Sequence, residues 1–180
     1  WHVPSEGAGQ VALVGLPNTG KSSLVASLTR AEPEVGEWPG TTREPTPGMM
    51  PWQDVAIQLV DLPPFDADRT EPWVIELARH ADLLWLVVSG EDPLTGLEDG
   101  LAALEARRAR LHPATRTPPP APPDGIRSQP LLVVATGLDR LGACDNVATL
   151  RELLEVPWPL HAVSTVTREG LDDLALATFR

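Results

Sequence analysis

The chain has 180 residues, a formal net charge of −11 and a single cysteine, Cys144. That length suits one ordinary domain with a sizeable core, and no apolar run approaches the roughly 20 residues a membrane-crossing helix requires. The acidic balance excludes a broad grip on nucleic-acid phosphates by this domain, so a polyanion must be captured here by a local device. A lone thiol closes no internal disulfide, which favours a cytoplasmic setting and a structural role for Cys144. No basic-then-apolar leader is visible, and a chain opening on Trp1 is read as a piece of a longer protein.

In chain order, Val11-Ala12-Leu13-Val14 reads as a first strand. The stretch Gly15-Leu16-Pro17-Asn18-Thr19-Gly20-Lys21-Ser22 follows, and Leu24, Val25 and Leu28 then recur at helical spacing. Residues 31–51 are rich in Pro and Gly and read as a loop with room for one edge strand. Val55 to Val60 is a second apolar run, ending at Asp61. Thr70 is placed to cap a helix with Pro72 in its first turn, burying Trp73, Val74, Leu77 and Ala78. Leu83 to Val88 is continuously apolar, as a central parallel strand should be. Thr95 and Glu98 have capping-box spacing, opening a helix with Leu97, Leu101, Leu104 and Leu111 on one side. The Pro-rich stretch 113–125 reads as a flexible surface insertion. Pro130 to Ala135 resumes as a strand, Val147, Leu150, Leu153 and Leu154 mark a helix, Leu160 to Val163 is a last strand, and Leu171, Leu174 and Leu176 belong to a last helix. About six strands alternating with five helices predict an α/β fold of three layers, a mostly parallel sheet with helices on both faces.

The spacing Gly15-x4-Gly20-Lys21-Ser22 has a mechanical reason. A loop that wraps terminal phosphates must turn its backbone N–H groups inward, and glycine allows conformations and close approach that a Cβ blocks. The helix that follows sets the positive end of its dipole beneath the anion. Lys21 neutralises the outer phosphates and the Ser22 hydroxyl ligates Mg²⁺. Of the 14 Lys and Arg residues, Lys21 is the sole lysine, standing where a compact ammonium fits between phosphates better than a planar guanidinium. The phosphate-binding candidates are thus Gly15, Pro17, Asn18, Thr19, Gly20, Lys21, Ser22 and Ser23. Asp61, at the carboxyl end of a strand, is placed to hold a water on the metal.

These residues, with Gly40-Thr41-Thr42-Arg43-Glu44 and Leu59-Val60-Asp61-Leu62-Pro63, resemble the first three guanine-nucleotide motifs of the Obg/DRG and Era-like translation-factor GTPases. The resemblance covers most of the chain and identifies it as a single G domain over residues 1–180. It implies that Thr42, rather than Thr41, ligates Mg²⁺ and senses the γ-phosphate. It aligns Thr136-Gly137-Leu138-Asp139 with the fourth motif, whose aspartate accepts from guanine N1–H and the exocyclic amine together. It aligns Ser164 and Thr165 with the fifth. Lys21, Thr42 and Asn18 are the catalytic candidates, and Ser22, Thr42 and Asp61 the metal ligands. In relatives with Gly-x-Pro-Asn-x-Gly-Lys-Ser the asparagine helps hold a K⁺ that acts in place of an arginine finger, a role open to Asn18.

Three departures bear on activity. Pro64 stands where the third motif has a glycine and offers no N–H to the γ-phosphate, unless Phe65 donates instead. Phe65 takes the place of a water-orienting Gln, and Gly137 replaces a lysine that lies along the base. The expectation is a slow Mg²⁺-dependent GTPase switch in which residues 31–51 and 62–70 change order. The resemblance implies the ribosome or an assembly factor as partner, through other domains. A non-catalytic nucleotide-binding module and a P-loop ATPase or kinase are the alternatives. Trp38 and Trp52 flank the switch-like loop, Trp73 and Trp85 read as packing residues, and His80 and His161 as structural.

Overall fold

The computed structural model describes residues 3–29, 45–65, 70–115, 128–154 and 158–179. The first apolar run forms β1 (Gln10–Val14), with every residue buried, and α1 (Lys21–Leu28) follows the glycine-rich loop. An antiparallel hairpin of β2 (Thr46–Trp52) and β3 (Val55–Asp61) comes next. Pro47 and Pro51 mark β2 as an edge strand, because a proline withholds the N–H an inner strand must supply. There follow α2 (Pro72–His80), β4 (Leu83–Ser89), α3 (Pro93–Glu105), β5 (Leu111–Pro113), β6 (Gln129–Thr136), α4 (Ala143–Leu153), β7 (Leu160–Val163) and α5 (Leu171–Thr178).

The sheet order is β2-β3-β1-β4-β6-β5, with β7 also on β6. The three-layer α/β expectation holds, with seven strands among the described residues where about six were expected. The extra strand, β5, shares an edge of β6 with β7. It pairs Leu111–Pro113 with Gln129–Leu131, and β7 pairs Leu160–Val163 with Val133–Thr136. Strand pairing therefore claims Leu111, which helical spacing had assigned to α3. Pro113, the first residue of the expected insertion, ends β5, and 116–127 lie outside the described residues.

Side chains alternate across the sheet, as the period of two requires. Ala12 and Val14 join one buried cluster with Val60, Val74, Leu86, Leu97 and Leu150. Val11 and Leu13 join another with Leu24, Leu59, Val134, Leu171 and Leu174. Helices α2, α3 and α4 cover one face and α1 and α5 the other. Trp85 is fully buried, Trp73 half-buried, and Trp52 stacks on Phe179 with ring centroids 5.5 Å apart. Trp38 lies outside the described residues.

Two helix starts differ from expectation. Glu71, not Thr70, is the N-cap of α2, and Pro72 fills the first helical position. Asp92 caps α3, its carboxylate accepting from Thr95 N–H at 3.3 Å, so the helix begins at Pro93, before the Thr95–Glu98 pair. Cys144 is exposed in the first turn of α4 and is no core residue. His80 is likewise exposed. No helix among the described residues is long and apolar enough to cross a membrane.

Candidate nucleotide site

Strands β1, β3, β4, β6 and β7 run parallel, so their carboxyl ends meet at one edge of the sheet. Ligands of open α/β sheets gather at that edge. The loop after β1 turns there through Gly15 at φ +150°, where a Cβ would stand 2.3 Å from the Val87 carbonyl oxygen of β4. Only glycine lets the loop lie so close. Asn18 adopts a left-handed φ of +62° and is exposed, a conformation asparagine tolerates better than most side chains. Gly20, at φ +84°, is the N-cap of α1 and carries no side chain to occupy the first-turn N–H groups. A helix start capped by glycine suits an anion, which can take the place of a capping side chain. Ser23, in that turn, is exposed.

Lys21 is 6% exposed. Its Nζ donates to the carbonyls of Leu16, at 2.9 Å, and Gly15, at 3.2 Å, and so is held across the loop it would serve. Burial lowers its pKa to about 8, and the nearby Asp61 charge only partly restores it. A phosphate beside the ammonium would favour the protonated form. Affinity for a phosphate-bearing ligand is therefore expected to be level below pH 8 and to fall as pH rises through 8, approaching about tenfold per pH unit. Calorimetry at pH 8.5 in buffers of different ionisation enthalpy should then register proton uptake on binding. Constant affinity from pH 7 to 9 with no proton uptake would contradict the coupling.

The Ser22 hydroxyl donates to Asp61 Oδ2 at 2.5 Å, bringing the ends of the phosphate loop and β3 together. These adjoining hard oxygens suit Mg²⁺. Among the described residues no group of three or more His, Cys, Asp or Glu could hold a metal ion. A cation here would take its remaining ligands from water and phosphate, as Mg²⁺ does in nucleotide sites. Thr41 and Thr42 lie outside the described residues.

At the third motif, Phe65 N–H donates to the Gly15 carbonyl at 3.0 Å, and the phenyl ring is 1% exposed in the α2/α3-side core. This contact was not foreseen. The amide that would replace the donor missing at Pro64 is engaged with the phosphate loop. Residues 62–65 are thus tied down at their end, and 66–69 lie outside the described residues.

At the other end, the buried Thr136 hydroxyl donates to Thr19 O at 2.6 Å. It fastens the fourth motif to the phosphate loop, while the Thr19 hydroxyl closes the loop on Leu16 O at 3.1 Å. Fully buried Ser164 donates to Asp139 Oδ1 and accepts from Val166 N–H, at 3.2 Å, and Thr167 N–H, at 3.0 Å. One hydroxyl orients the carboxylate and folds the 164–167 turn, in which Thr165 is half-buried. The Ser164 hydrogen bond, the local backbone and the Arg140 charge hold the Asp139 carboxyl below its ordinary pKa, so it is ionised at neutral pH. Pairing of β7 with β6 brings these two motifs together.

Residues 10–114 match the family described as 50S ribosome-binding GTPase. The GTPase Obg of Anaeromyxobacter sp. (strain K) is 32% identical over 178 residues, covering 94% of this chain and 48% of that protein. The chain thus spans about half the length of the Obg relatives it matches there. The G domain of the T. maritima FeoB iron transporter superposes with a TM-score of 0.63 at 27% identity, covering 95% of this chain and 96% of that one. Era from Aquifex aeolicus, bound to GDP·AlF4⁻, shares the fold with a TM-score of 0.65 at 18% identity, over 94% of this chain and 55% of that one. The matched span runs from β1 through β5 and takes in both the phosphate loop and Asp61. The chain therefore belongs to the P-loop GTPase family that bears this description.

Proposed function

We propose that this domain binds GTP and GDP, hydrolyses GTP slowly with Mg²⁺, and signals the nucleotide state to a partner. The observation that carries the reading is the convergence, at one sheet edge, of a buried lysine across a glycine-rich loop, the Ser22–Asp61 contact and the ionised Asp139. The loop amides and Lys21 receive the phosphates. Ser22 and Asp61 would hold Mg²⁺, joined by Thr42, and the ion would offset charge on the transferring phosphoryl group. The family match sets aside the ATPase or kinase alternative.

Asp139, as a fixed anion, accepts from guanine N1–H and the exocyclic amine, a donor pair adenine lacks. Asp139→Asn replaces one acceptor by a donor. GDP affinity should fall about 100-fold, while xanthosine diphosphate, with an acceptor at the 2-position, should bind the variant better than the parent. Titration with GDP, XDP and ADP checks this, and unaltered GDP affinity would remove Asp139 from the base site.

Slow hydrolysis follows from the third motif, where Pro64 lacks an N–H and Phe65 spends its own on Gly15. Asn18, exposed on the loop, is the residue we assign to K⁺, which would supply the missing positive charge. Single-turnover hydrolysis should run at least about tenfold faster in KCl than in NaCl, and equal rates would discard the cation. The Phe65–Gly15 bond also favours a second reading, nucleotide binding without turnover. Hydrolysis no faster than in Lys21→Ala would select it. The partner we propose is the ribosome or an assembly factor, in keeping with the description of the matched family.

A further inference from the structure

The Gly137 position, where the fourth motif departs from its relatives, is bordered by another side chain. A Cβ built on Gly137 would lie 3.2 Å from Cδ, 3.3 Å from Nε and 3.6 Å from Cγ of Arg140. The Arg140 stem thus runs where a side chain at 137 would leave the backbone. A turn closed by Arg140 N–H on Gly137 O, at 2.9 Å, brings it there, and Gly137 sits at φ +74°, where glycine is favoured.

The guanidinium continues to Glu91, in the loop between β4 and α3. Asn146 Nδ2 holds that loop by donating to Glu91 O at 2.8 Å and Gly90 O at 3.3 Å. Both side chains of the ion pair are 57% exposed. Such a pair adds little to stability and separates at small cost. Arg140 is also the sole cation of the turn 136–140, and adjoins Asp139, which reads the base edge in the function proposed above.

We propose that Arg140 is a base-binding residue: its guanidinium leaves Glu91 and lies against the face of the guanine whose edge Asp139 accepts. A planar, weakly hydrated cation stacks on an aromatic ring as a lysine ammonium does not. The inference rests on the guanine reading of the site. A side chain restored at 137 would meet both the Arg140 stem and the strain of a φ of +74°.

The test is calorimetric titration of the parent, Arg140→Ala, Arg140→Lys and Glu91→Gln proteins with GDP and with inorganic pyrophosphate, in Mg²⁺. Arg140 is exposed, so the variants are expected to fold. Arg140→Ala should weaken GDP about tenfold and leave pyrophosphate within about twofold, since the phosphates lie at the other end of the site. Arg140→Lys should recover part of the loss. Glu91→Gln, which frees the guanidinium, should bind GDP at least as tightly as the parent. Unchanged GDP affinity in Arg140→Ala, with the parent binding normally, overturns this proposal alone, and so does an equal loss for both ligands. A parent that binds pyrophosphate but not GDP overturns the guanine reading and this proposal with it.

Discussion

Lys21→Ala is expected to weaken GDP and GTP binding by about 100-fold or more, because it deletes charge-assisted hydrogen bonds to phosphate of roughly 1.5–3 kcal/mol each. Stability should move differently. Below pH 8 the protein carries a buried ammonium whose pKa, about 8, lies below its unfolded value. For such a group the unfolded chain binds more protons between pH 8 and 10.5, so the parent gains stability as pH rises through that window. At neutral pH the burial costs on the order of 3 kcal/mol. Removing the ammonium relieves that cost, offset in part by the lost packing of the stem. The variant should therefore melt close to, or above, the parent, with a flatter pH dependence above pH 8. Denaturant melts at pH 7 and 9.5 beside a GDP titration check both halves. Retained nucleotide affinity would remove Lys21 from the phosphate site.

Phe65→Gln, which installs the residue type that orients water in other GTPases, is expected to destabilise the protein without speeding hydrolysis. The phenyl ring is 1% exposed in the same buried cluster as Leu62, Val74 and Ile75. Removing such a ring costs about 3–5 kcal/mol, and a buried amide adds a desolvation penalty. For a domain of this size that corresponds to a fall in melting temperature of roughly 10 °C or more. Turnover should not rise, because the side chain points into the core while the residue's amide is bound to Gly15. Thermal melts and single-turnover hydrolysis on the same preparations test both. Faster hydrolysis at an unaltered melting temperature would mean that residue 65 faces the phosphates.

The phosphate loop, Asp61 and most strands were legible in the chain because their determinants are local. The spacing of Gly15, Gly20 and Lys21 dictates where backbone amides and a cation can meet an anion. A run such as Leu83 to Val88 is too short and too uniformly apolar for an amphipathic surface helix. Asp139 was singled out as a candidate by motif position alone. Helix starts were less legible, since Thr95 carries a capping side chain as good as that of Asp92, and α2 starts at Glu71 with no side-chain cap at all. Leu111 misled because three residues of edge strand leave no periodicity of their own.

What the tertiary structure decided depends on partners far away in sequence. Ser164 gains its role from a carboxylate 25 residues earlier, Thr136 from a carbonyl 117 residues earlier, and Arg140 from a glutamate 49 residues earlier. The engagement of Phe65 N–H with Gly15 arises because β3 pairs in parallel with β1, which brings the segment after Asp61 beside the loop after Val14. Residue type and spacing thus determined where the proposed anion site falls and which lysine is its candidate. Strand order and register decided which donors are engaged between distant elements, as Phe65 N–H is with Gly15, because such a hydrogen bond is invisible until those elements are packed.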